Sequence, residues 1–327
     1  MEHRRLGDTG LTVSRVGIGL AALGRPAYIN LGHADDLGGD VAVDTLRRAT
    51  ADVLDAAWDA GITYVDVARS YGRAEAFLAS WLDGRTGSGR PVIGSKWGYA
   101  YTGGWRVDAG THEVKEHSLA MFERQRAETD ALLGTALDLY QVHSLTLDSG
   151  ALDDAALLDA LARLRDDGTP VGVSLSGPRR AEALERAAAV ERDGLRLFST
   201  VQATWNVLEP SAGDALRAAQ ATGLGVIVKE GVANGRLTPR GTDPVIRDVL
   251  DPIAARHGVT ADAVALAAVL AQPWADVALS GVATVAQLHA NLRALDVRLT
   301  AADRDVLDAL AEDADHYWDR RAALEWV

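Results

Sequence analysis

The strongest constraint on the fold is a pattern that the chain repeats eight times. A short apolar run rich in β-branched residues is followed by an amphipathic stretch, then by glycine, and then by the next apolar run. Runs that are apolar throughout, rather than alternating, are typical of parallel strands that are buried on both faces. The eight runs are 16–20, 62–68, 91–96, 137–144, 171–176, 199–205, 225–231 and 276–281.

The segments between the runs carry helical signals. Residues 45–61 place apolar side chains at helical spacing and end in a glycine. Residues 178–194 begin with proline and end in glycine, which is the order expected of one helix. Residues 251–273 predict two helices separated by Gly258, with Thr260 as the N-cap of the second.

Eight strand–helix units without a Pro- or Ser-rich linker predict one α/β domain over residues 1–327, a (β/α)8 TIM barrel. A doubly wound open sheet is the alternative, but residues 16–24 lack the G-x-G-x-x-G spacing of that fold. Residues 24–43 form a Gly-rich insertion after the first strand, and we expect them beside the active site. The aromatic-rich tail, 313–327, is expected over or near the barrel mouth, either packing on the last helix or contacting the substrate.

Composition and charge limit the classes of molecule that the chain is expected to bind. The chain has a net charge of −13 and no basic stripe, so nucleic acid and anionic membranes are poor candidates. One of the longest apolar runs, 263–271, is about half of what a membrane span requires. The absence of cysteine fits a reducing cytoplasm, and the N-terminus lacks the apolar region of a secretory signal. We therefore expect a cytoplasmic protein that acts on a small molecule, of an oligomeric state that the sequence does not indicate.

The segment HEVKEH, residues 112–117, resembles a zinc motif only superficially. A zincin helix places two histidines four residues apart, whereas His112 and His117 are five apart and would lie about 140° out of register on a helix. No predicted strand ends in His-x-His, as a metal-dependent barrel hydrolase would require. The sequence therefore predicts no metal site.

Four chemically distinctive residues stand at the carboxyl ends of neighbouring predicted strands. Asp66, Lys96 and His143 end or nearly end the second, third and fourth strands, and Tyr71 follows the second. Singly, each has a structural explanation, as a strand end, a turn residue or a core histidine. Together they form a proton-donating device for carbonyl reduction. A phenol, with a pKa of about 10, is a poor acid, but Lys96 would lower that pKa and Asp66 would orient the lysine. His143 would orient the carbonyl oxygen or relay the proton.

Motifs along nearly the whole chain resemble, in order, those of the aldo-keto reductase family. The resemblance implies a TIM barrel with an N-terminal β-hairpin and an NAD(P)(H)-dependent oxidoreductase with the tetrad Asp66, Tyr71, Lys96 and His143. The segments that carry it include RRLGDTGLTVSRVGIGL (4–20), GITYVDVARSYGRAE (61–75), IGSKWG (93–98), LDLYQVHS (137–144) and GVANGRLT (231–238).

The same resemblance implies a nicotinamide dinucleotide across the barrel mouth. The family's nicotinamide carboxamide, phosphate and adenine contacts carry over to this chain residue by residue. The implied cofactor residues are Gly19, Ser174, Gln202, Lys229, Ser280, Gly281, Gln287 and Asn291.

Three positions depart from the family pattern. Leu175 stands where asparagine usually completes the carboxamide site, and Lys229 stands where an aromatic ring often stacks on the nicotinamide. Ala283 stands where an arginine commonly meets the 2′-phosphate of NADP, which needs charge-assisted donors. The loop therefore resembles the NAD-using sugar dehydrogenases of the family. Family frequency makes NADP(H) the first expectation, and local chemistry keeps NAD(H) as the alternative.

The expected reaction interconverts an alcohol or lactone with an aldehyde, ketone or sugar hemiacetal. An NAD-dependent aldose dehydrogenase is the same machinery run in reverse, with Tyr71 as base. A cofactor-binding regulatory subunit with little turnover receives no positive support from the sequence. Trp105, Trp205 and Trp318 are predicted to wall the substrate pocket, although indole rings pack in protein cores as often.

Overall fold

A computed structural model describes residues 1–85 and 89–327 and confirms the barrel. Eight parallel strands close into a ring in which each strand pairs with the next along the chain, and the last pairs with the first. Each predicted apolar run corresponds to one strand, and no strand extends more than one residue past the carboxyl end of its run. The strands are β1 (Val16–Gly19), β2 (Tyr64–Asp66), β3 (Val92–Trp97), β4 (Leu139–Leu145), β5 (Val171–Leu175), β6 (Thr200–Thr204), β7 (Gly225–Lys229) and β8 (Val277–Gly281).

Most of the helices surround the barrel and bury an apolar face. Helix α2 turns Leu46, Val53, Leu54 and Ala57 inward, as its spacing predicts. The helices are α1 (His33–Asp36), α2 (Val43–Asp59), α3 (Ala74–Asp83), α4 (Leu119–Leu133), α5 (Ala155–Asp166), α6 (Arg180–Ala188), α7 (Gly213–Ala221), α8 (Pro244–His257), α9 (Ala261–Leu270), α10 (Val285–Leu292), α11 (Ala301–Asp308) and α12 (Ala314–Ala322).

The predicted helix over 178–194 is wrong in its second half. Helix α6 ends at Ala188, and a short hairpin of Glu191–Arg192 and Leu195–Arg196 follows it. The φ angles of Asp193 and Gly194 are 56° and 73°, as in the two-residue Asp-Gly turn that favours hairpins. The glycine therefore serves a β-turn rather than a helix end.

The boundary between α8 and α9 agrees with the prediction except in one detail. Gly258 ends α8 with a φ of 62°, a conformation that glycine adopts without strain. Thr260 occupies the N-cap position of α9, but its side chain accepts no capping hydrogen bond. No single helix in the described residues is long and apolar enough to span a membrane, and α8 and α9 reach that length only together, across an 88° bend.

The N-terminal hairpin, His3–Arg5 with Thr12–Ser14, closes the amino-terminal end of the barrel. Leu6 and Val13 are fully buried in a cluster with barrel residues such as Tyr64 and Ile227. Gly7, between the two hairpin strands, has a φ of 52° and lies so close to the backbone before β7 that a β-carbon would collide with it. The N-terminal β-hairpin that the resemblance implied is therefore present, and it packs against the amino-terminal end of the barrel.

Three segments outside the barrel strands lie at the opposite, carboxyl-terminal end of the barrel. The insertion at 24–43 contains α1 and bonds to the loop after β7, where the Leu31 amide donates to the Asn234 carbonyl at 3.1 Å. An antiparallel ribbon of Tyr99–Tyr101 and Glu113–Lys115 follows β3. The tail contributes α12 and ends against the insertion, where the Tyr28 amide donates to the Val327 carbonyl at 3.0 Å. The tail therefore lies at the barrel mouth, as predicted.

A buried ion pair joins α6 to the loop after β6. The side chains of Arg180 and Glu209 are both 0% exposed and form a salt bridge, and Arg180 Nε also donates to the Thr204 carbonyl at 3.2 Å. A charge left alone in such a place is costly because neither water nor a counter-ion solvates it.

We predict that Glu209→Gln lowers the free energy of unfolding by about 3 kcal/mol because it leaves the Arg180 guanidinium without a compensating charge. Urea denaturation followed by circular dichroism measures this change. Glu182→Gln is the matched control, since it breaks the exposed Arg179–Glu182 pair and should leave the denaturation midpoint unchanged. Equal midpoints for the two variants would contradict the prediction.

His117 is a second buried group with consequences for stability. Its Nε2 donates to the His143 carbonyl at 2.8 Å, and its ring packs edge-on against Trp97 and Tyr99. Burial lowers the pKa of His117 to about 4, and burial likewise lowers the pKa of His33 to about 4. The folded protein therefore binds these protons only near pH 4, whereas the unfolded chain binds them near pH 6.5.

The neutral histidines thus contribute stability that is fully present above about pH 6.5 and is lost as the pH falls toward 4. We predict that His117→Gln makes the fall of unfolding free energy between these two pH values shallower, because one of the buried histidines that contribute to it is gone. Urea melts at a series of pH values measure the slope. His316→Gln, at an exposed position, should leave the slope as in the parent chain. An unchanged slope in His117→Gln would refute the assignment.

Candidate active site

A cavity of about 280 Å³ opens at the carboxyl ends of the barrel strands. Asp66, Tyr71 and His143 line it, together with residues from the insertion, the ribbon, the loop after β7 and the tail. Barrel enzymes carry their active sites at this end. Lys96 lies directly beneath the cavity and is 0% exposed.

An ion pair between Lys96 and Asp66 forms the floor of the cavity. Lys96 Nζ donates to the Asp66 carboxylate and, at 2.9 Å, to the Val67 carbonyl. Gln202 Nε2 reaches across the barrel from β6 and donates to Asp66 Oδ1 at 2.7 Å. Burial lowers the pKa of Lys96, and the charge of Asp66 opposes that change. Three strands, β2, β3 and β6, therefore meet at one carboxylate.

Tyr71 lies above this pair, but Lys96 does not contact its hydroxyl group as the prediction requires. Lys96 Nζ is 4.9 Å from the centroid of the Tyr71 ring and donates its hydrogen bonds to Asp66 and Val67 instead of to the phenol. Burial raises the pKa of Tyr71 well above its ordinary value, and the charge of Asp66 raises it further. The expected lowering of this pKa by Lys96 is therefore not observed. Tyr71 is a protonated phenol at neutral pH.

His143 is turned toward Tyr71 by an irregularity in β4. The pairing of β4 with β5 shifts register between Val142 and Leu145, and Ser144 has a φ of 50°. Such a bulge re-aims a side chain at the end of a strand. The His143 and Tyr71 rings meet edge to face at 5.5 Å. Burial, together with the charges of Lys96 and other nearby cations, lowers the pKa of His143 well below its ordinary value, so the ring is neutral.

An arginine that was not predicted from the sequence lies beside Tyr71. Arg25, in the insertion, is 2% exposed and pairs with Glu113 of the ribbon at 2.6 Å. Its guanidinium carbon lies 5.1 Å from the Tyr28 ring, 5.3 Å from Tyr71 and 4.7 Å from Trp326. A cation stacked among aromatic rings holds insertion, ribbon and tail together.

A second ion pair, also missed from sequence, fixes the tail. Arg321 of α12 donates from Nε to both carboxylate oxygens of Glu230, at 3.0 and 3.1 Å, and from Nη2 at 2.5 Å. Thr204 Oγ1 donates to the same carboxylate at 2.9 Å. Burial alone would raise the pKa of Glu230, but Arg321 and Lys229 outweigh it and lower the pKa to about 2.

The residues that the resemblance assigned to the cofactor fall into two neighbouring places. Gly19, Gln202 and Lys229 line the cavity, and Gln287 and Asn291 line an adjoining groove of about 380 Å³. Gly281 lines both spaces. The two spaces are therefore continuous along the end of β8.

Two buried polar atoms of the residues that the resemblance assigned to the cofactor lack a partner in the described residues. They are Ser174 Oγ, which neighbours Gln202 in the pairing of β5 with β6, and Asn291 Oδ1. Asn291 Nδ2 donates to Ser280 Oγ at 3.0 Å, and Gln287 Oε1 accepts from the Ala283 amide at 2.9 Å. Buried polar atoms normally have partners, so the unused atoms fit a bound ligand that carries amide or phosphate groups.

Charged side chains in the adjoining groove are already paired or negative. Arg240 pairs with Asp36 of α1 through two bonds of 2.5 and 3.0 Å, and Asp262 adds a second carboxylate to the lining. Ala283 is buried. Among the described residues that line the groove there is no lysine, and the one arginine is already paired with a carboxylate.

The three tryptophans that the sequence suggested as substrate contacts do not line the cavity. Trp205 packs edge-on against Trp274 in the core, and Trp318 is one of the buried residues of α12. Trp105 lies in the loop of the ribbon, where its Nε1 donates to the Val41 carbonyl at 2.7 Å. Their neighbours in space come from distant parts of the chain, which local sequence does not reveal. The aromatic side chains that do line the cavity are Tyr28, Tyr71, Tyr99 and Trp326.

The histidines of the 112–117 segment serve packing. His112 stacks on Trp326 with ring centroids 4.4 Å apart, while His117 bonds to the backbone of β4. Within residues 1–85 and 89–327, no group of three or more His, Asp or Glu side chains is arranged to hold a metal ion.

Comparison with known proteins identifies the family. The sequence model of the aldo/keto reductase family matches residues 37–312. An aldo-keto reductase of Emericella nidulans is 22% identical over 95% of this chain and 81% of its own length. A pyridoxal 4-dehydrogenase of Microbacterium luteolum is 32% identical, over 44% of this chain and 43% of its own. An aldo-keto reductase structure from Bacillus halodurans, in its holo form, superimposes with a TM-score of 0.70 at 22% identity, covering 96% of this chain and 97% of that one. The chain therefore belongs to the aldo/keto reductase family.

Proposed function

We propose that this aldo-keto reductase reduces the carbonyl group of a small molecule, with Tyr71 as the proton donor. The observation that carries the proposal is that Tyr71 and His143 face one cavity whose floor is the buried Lys96–Asp66 pair. Membership of the family makes the chain an oxidoreductase. The residue roles and the substrate class are the parts that we infer.

The proton chemistry follows from the protonation states. A buried phenol with a raised pKa keeps its proton until negative charge develops on a bound carbonyl oxygen, and then transfers it. The Lys96 ammonium, 4.9 Å from the ring centroid, stabilises the negative charge left on Tyr71. Asp66 holds the lysine in position and charged. The phenol is thus a stronger acid during the reaction than in the resting protein.

His143 orients the carbonyl. Its Nδ1 is 3.4 Å from Ser70 Oγ, and a hydrogen bond donated by Ser70 would leave the ring proton on Nε2. A neutral imidazole N–H donates to the same carbonyl oxygen as the Tyr71 hydroxyl. Two donors on one oxygen fix its direction and stabilise charge as it forms.

The cofactor supplies a hydride when it is bound, as the family's use of NAD(P)H implies. Ser174 and Asn291, whose buried oxygen atoms have unused bonding capacity, are candidates to hold it together with Gln202, Gly281 and Gln287. The pairing of Arg240 with Asp36 supports NAD(H), because a 2′-phosphate would have to displace a carboxylate from the arginine. We therefore favour NAD(H) over the NADP(H) that family frequency suggests.

Oxidation of an alcohol or hemiacetal is the second candidate. The partial match to a pyridoxal 4-dehydrogenase supports it, since that relative is named for a dehydrogenation. The raised pKa of Tyr71 speaks for reduction, because a base would have to lose its proton against burial and the charge of Asp66.

We predict that Tyr71→Phe lowers kcat/KM for aldehyde reduction by at least ~10²-fold, the usual contribution of a positioned general acid. The loss of absorbance of the reduced cofactor measures the rate, and circular dichroism and cofactor titration verify that fold and binding persist. Tyr28→Phe, a second tyrosine of the same cavity, is the control and should retain most of the activity. A Tyr71→Phe enzyme as active as this control would exclude Tyr71 as the proton donor.

A further inference from the structure

Among the described residues at the active-site cavity, the cationic side chains outnumber the carboxylates by one. Three carboxylates line the cavity, and each has its own cationic partner. The pairs are Asp66 with Lys96, Glu113 with Arg25 and Glu230 with Arg321.

Lys229, the last residue of β7, also lines the cavity. In the part of the chain that the structure describes, no carboxylate lies within ion-pairing distance of its ammonium group, and the group makes no hydrogen bond. The adjacent Glu230 carboxylate is occupied by Arg321 and Thr204. Burial lowers the pKa of Lys229 to about 8, which leaves the side chain largely cationic at neutral pH.

The charge of Lys229 affects the residues of the proposed catalytic site. Its charge contributes to the lowered pKa of His143, and the charges of Lys96 and Asp66 in turn affect Lys229. Because the three ion pairs cancel, the cavity has a net charge of about +1 although the chain as a whole has a net charge of −13. Screening confines the field of the acidic surface to about 8 Å at physiological salt, so this local excess decides what the cavity attracts.

We propose that Lys229 binds a carboxylate on the substrate, so that the enzyme prefers carbonyl compounds that carry a negative charge. The inference rests on the proposed reductase function and names its substrate class. A partly desolvated ammonium without a partner gains most from an anion, because a charge-assisted hydrogen bond is stronger than a neutral one. The aromatic lining of the same cavity would cover the apolar part of such a molecule.

The pyrophosphate of the cofactor offers the same anionic chemistry. Lys229 lines the cavity with Tyr71 and His143 but does not line the adjoining groove, where Gln287 and Asn291 lie. Its position therefore favours the substrate as the source of the anion. The experiment distinguishes the two sources.

The test compares pairs of aldehydes that differ in charge and little in shape. The pairs are 4-carboxybenzaldehyde with its methyl ester and 4-oxobutanoate with its methyl ester. We expect the parent enzyme to have the higher kcat/KM for the carboxylate in at least one pair. Lys229→Met should lower the carboxylate-to-ester ratio about 10- to 100-fold, the loss of one charge-assisted hydrogen bond. Lys229→Arg should keep most of the ratio.

Lys115→Met is the matched control. The chain has three lysines, and Lys115 lies at the same end of the barrel, where its Nζ donates to Thr146 Oγ1 at 2.8 Å outside the cavity. Its removal should leave the ratio unchanged. A parent enzyme without any carboxylate preference, or a Lys229→Met enzyme that keeps it, would overturn the inference. If Lys229→Met lowers kcat/KM equally for the carboxylate and the ester and also weakens nucleotide binding, Lys229 contacts the cofactor. That result would also overturn the inference.

A measurement that does not depend on turnover separates failure of this inference from failure of the reductase function. Calorimetry of the resting protein with 4-carboxybenzyl alcohol and with benzyl alcohol reports the carboxylate contribution directly. If no aldehyde is reduced, the proposed function fails, yet selectively weaker binding of the carboxylate to Lys229→Met still supports the anion site. Equal binding to both proteins excludes it.

Discussion

The Lys96–Asp66 ion pair is the interaction around which the barrel mouth is organised. It is buried between β2 and β3, and Gln202 extends it across the barrel to β6. Desolvating two charges costs about as much as their attraction returns, so the pair is a poor source of stability. The pair instead positions Lys96. The Asp66 carboxylate and the Val67 carbonyl hold its ammonium group so that it faces the Tyr71 ring.

The insertion, the ribbon and the tail enclose the space above this ion pair and so form the cavity. Arg25 and Glu113 join the insertion to the ribbon, and Arg321 joins the tail to Glu230 at the end of β7. Enclosure is the common physical cause of the pKa changes at the site, because burial is the largest contribution at Tyr71, His143 and Lys229 alike. A more open mouth would keep the same residues but lose their protonation states. The loops therefore determine the chemistry as much as the strand ends do.

The barrel and the convergence of Asp66, Tyr71, Lys96 and His143 were predictable because a repeated local pattern determines the topology, and the topology brings strand ends together. The ion pairs were not, since Arg25 and Glu113 are 88 residues apart and Arg321 and Glu230 are 91 apart. The direction of the Tyr71 pKa was missed for the same reason: burial by distant segments is the largest cause of the rise. The Asp193–Gly194 turn was a local signal that the helical pattern around it obscured.

Binding of a nicotinamide dinucleotide at the mouth is the property on which the reductase chemistry depends. The most direct measurement is a titration of the purified protein with NADH and with NADPH, followed by quenching of tryptophan fluorescence. The chain has eight tryptophans, and Trp326 lines the cavity, so a bound nicotinamide should be visible. We expect saturable binding with NADH the tighter ligand, because the arginine of the groove is already paired. If neither nucleotide binds, the site has no source of hydride and the account is wrong.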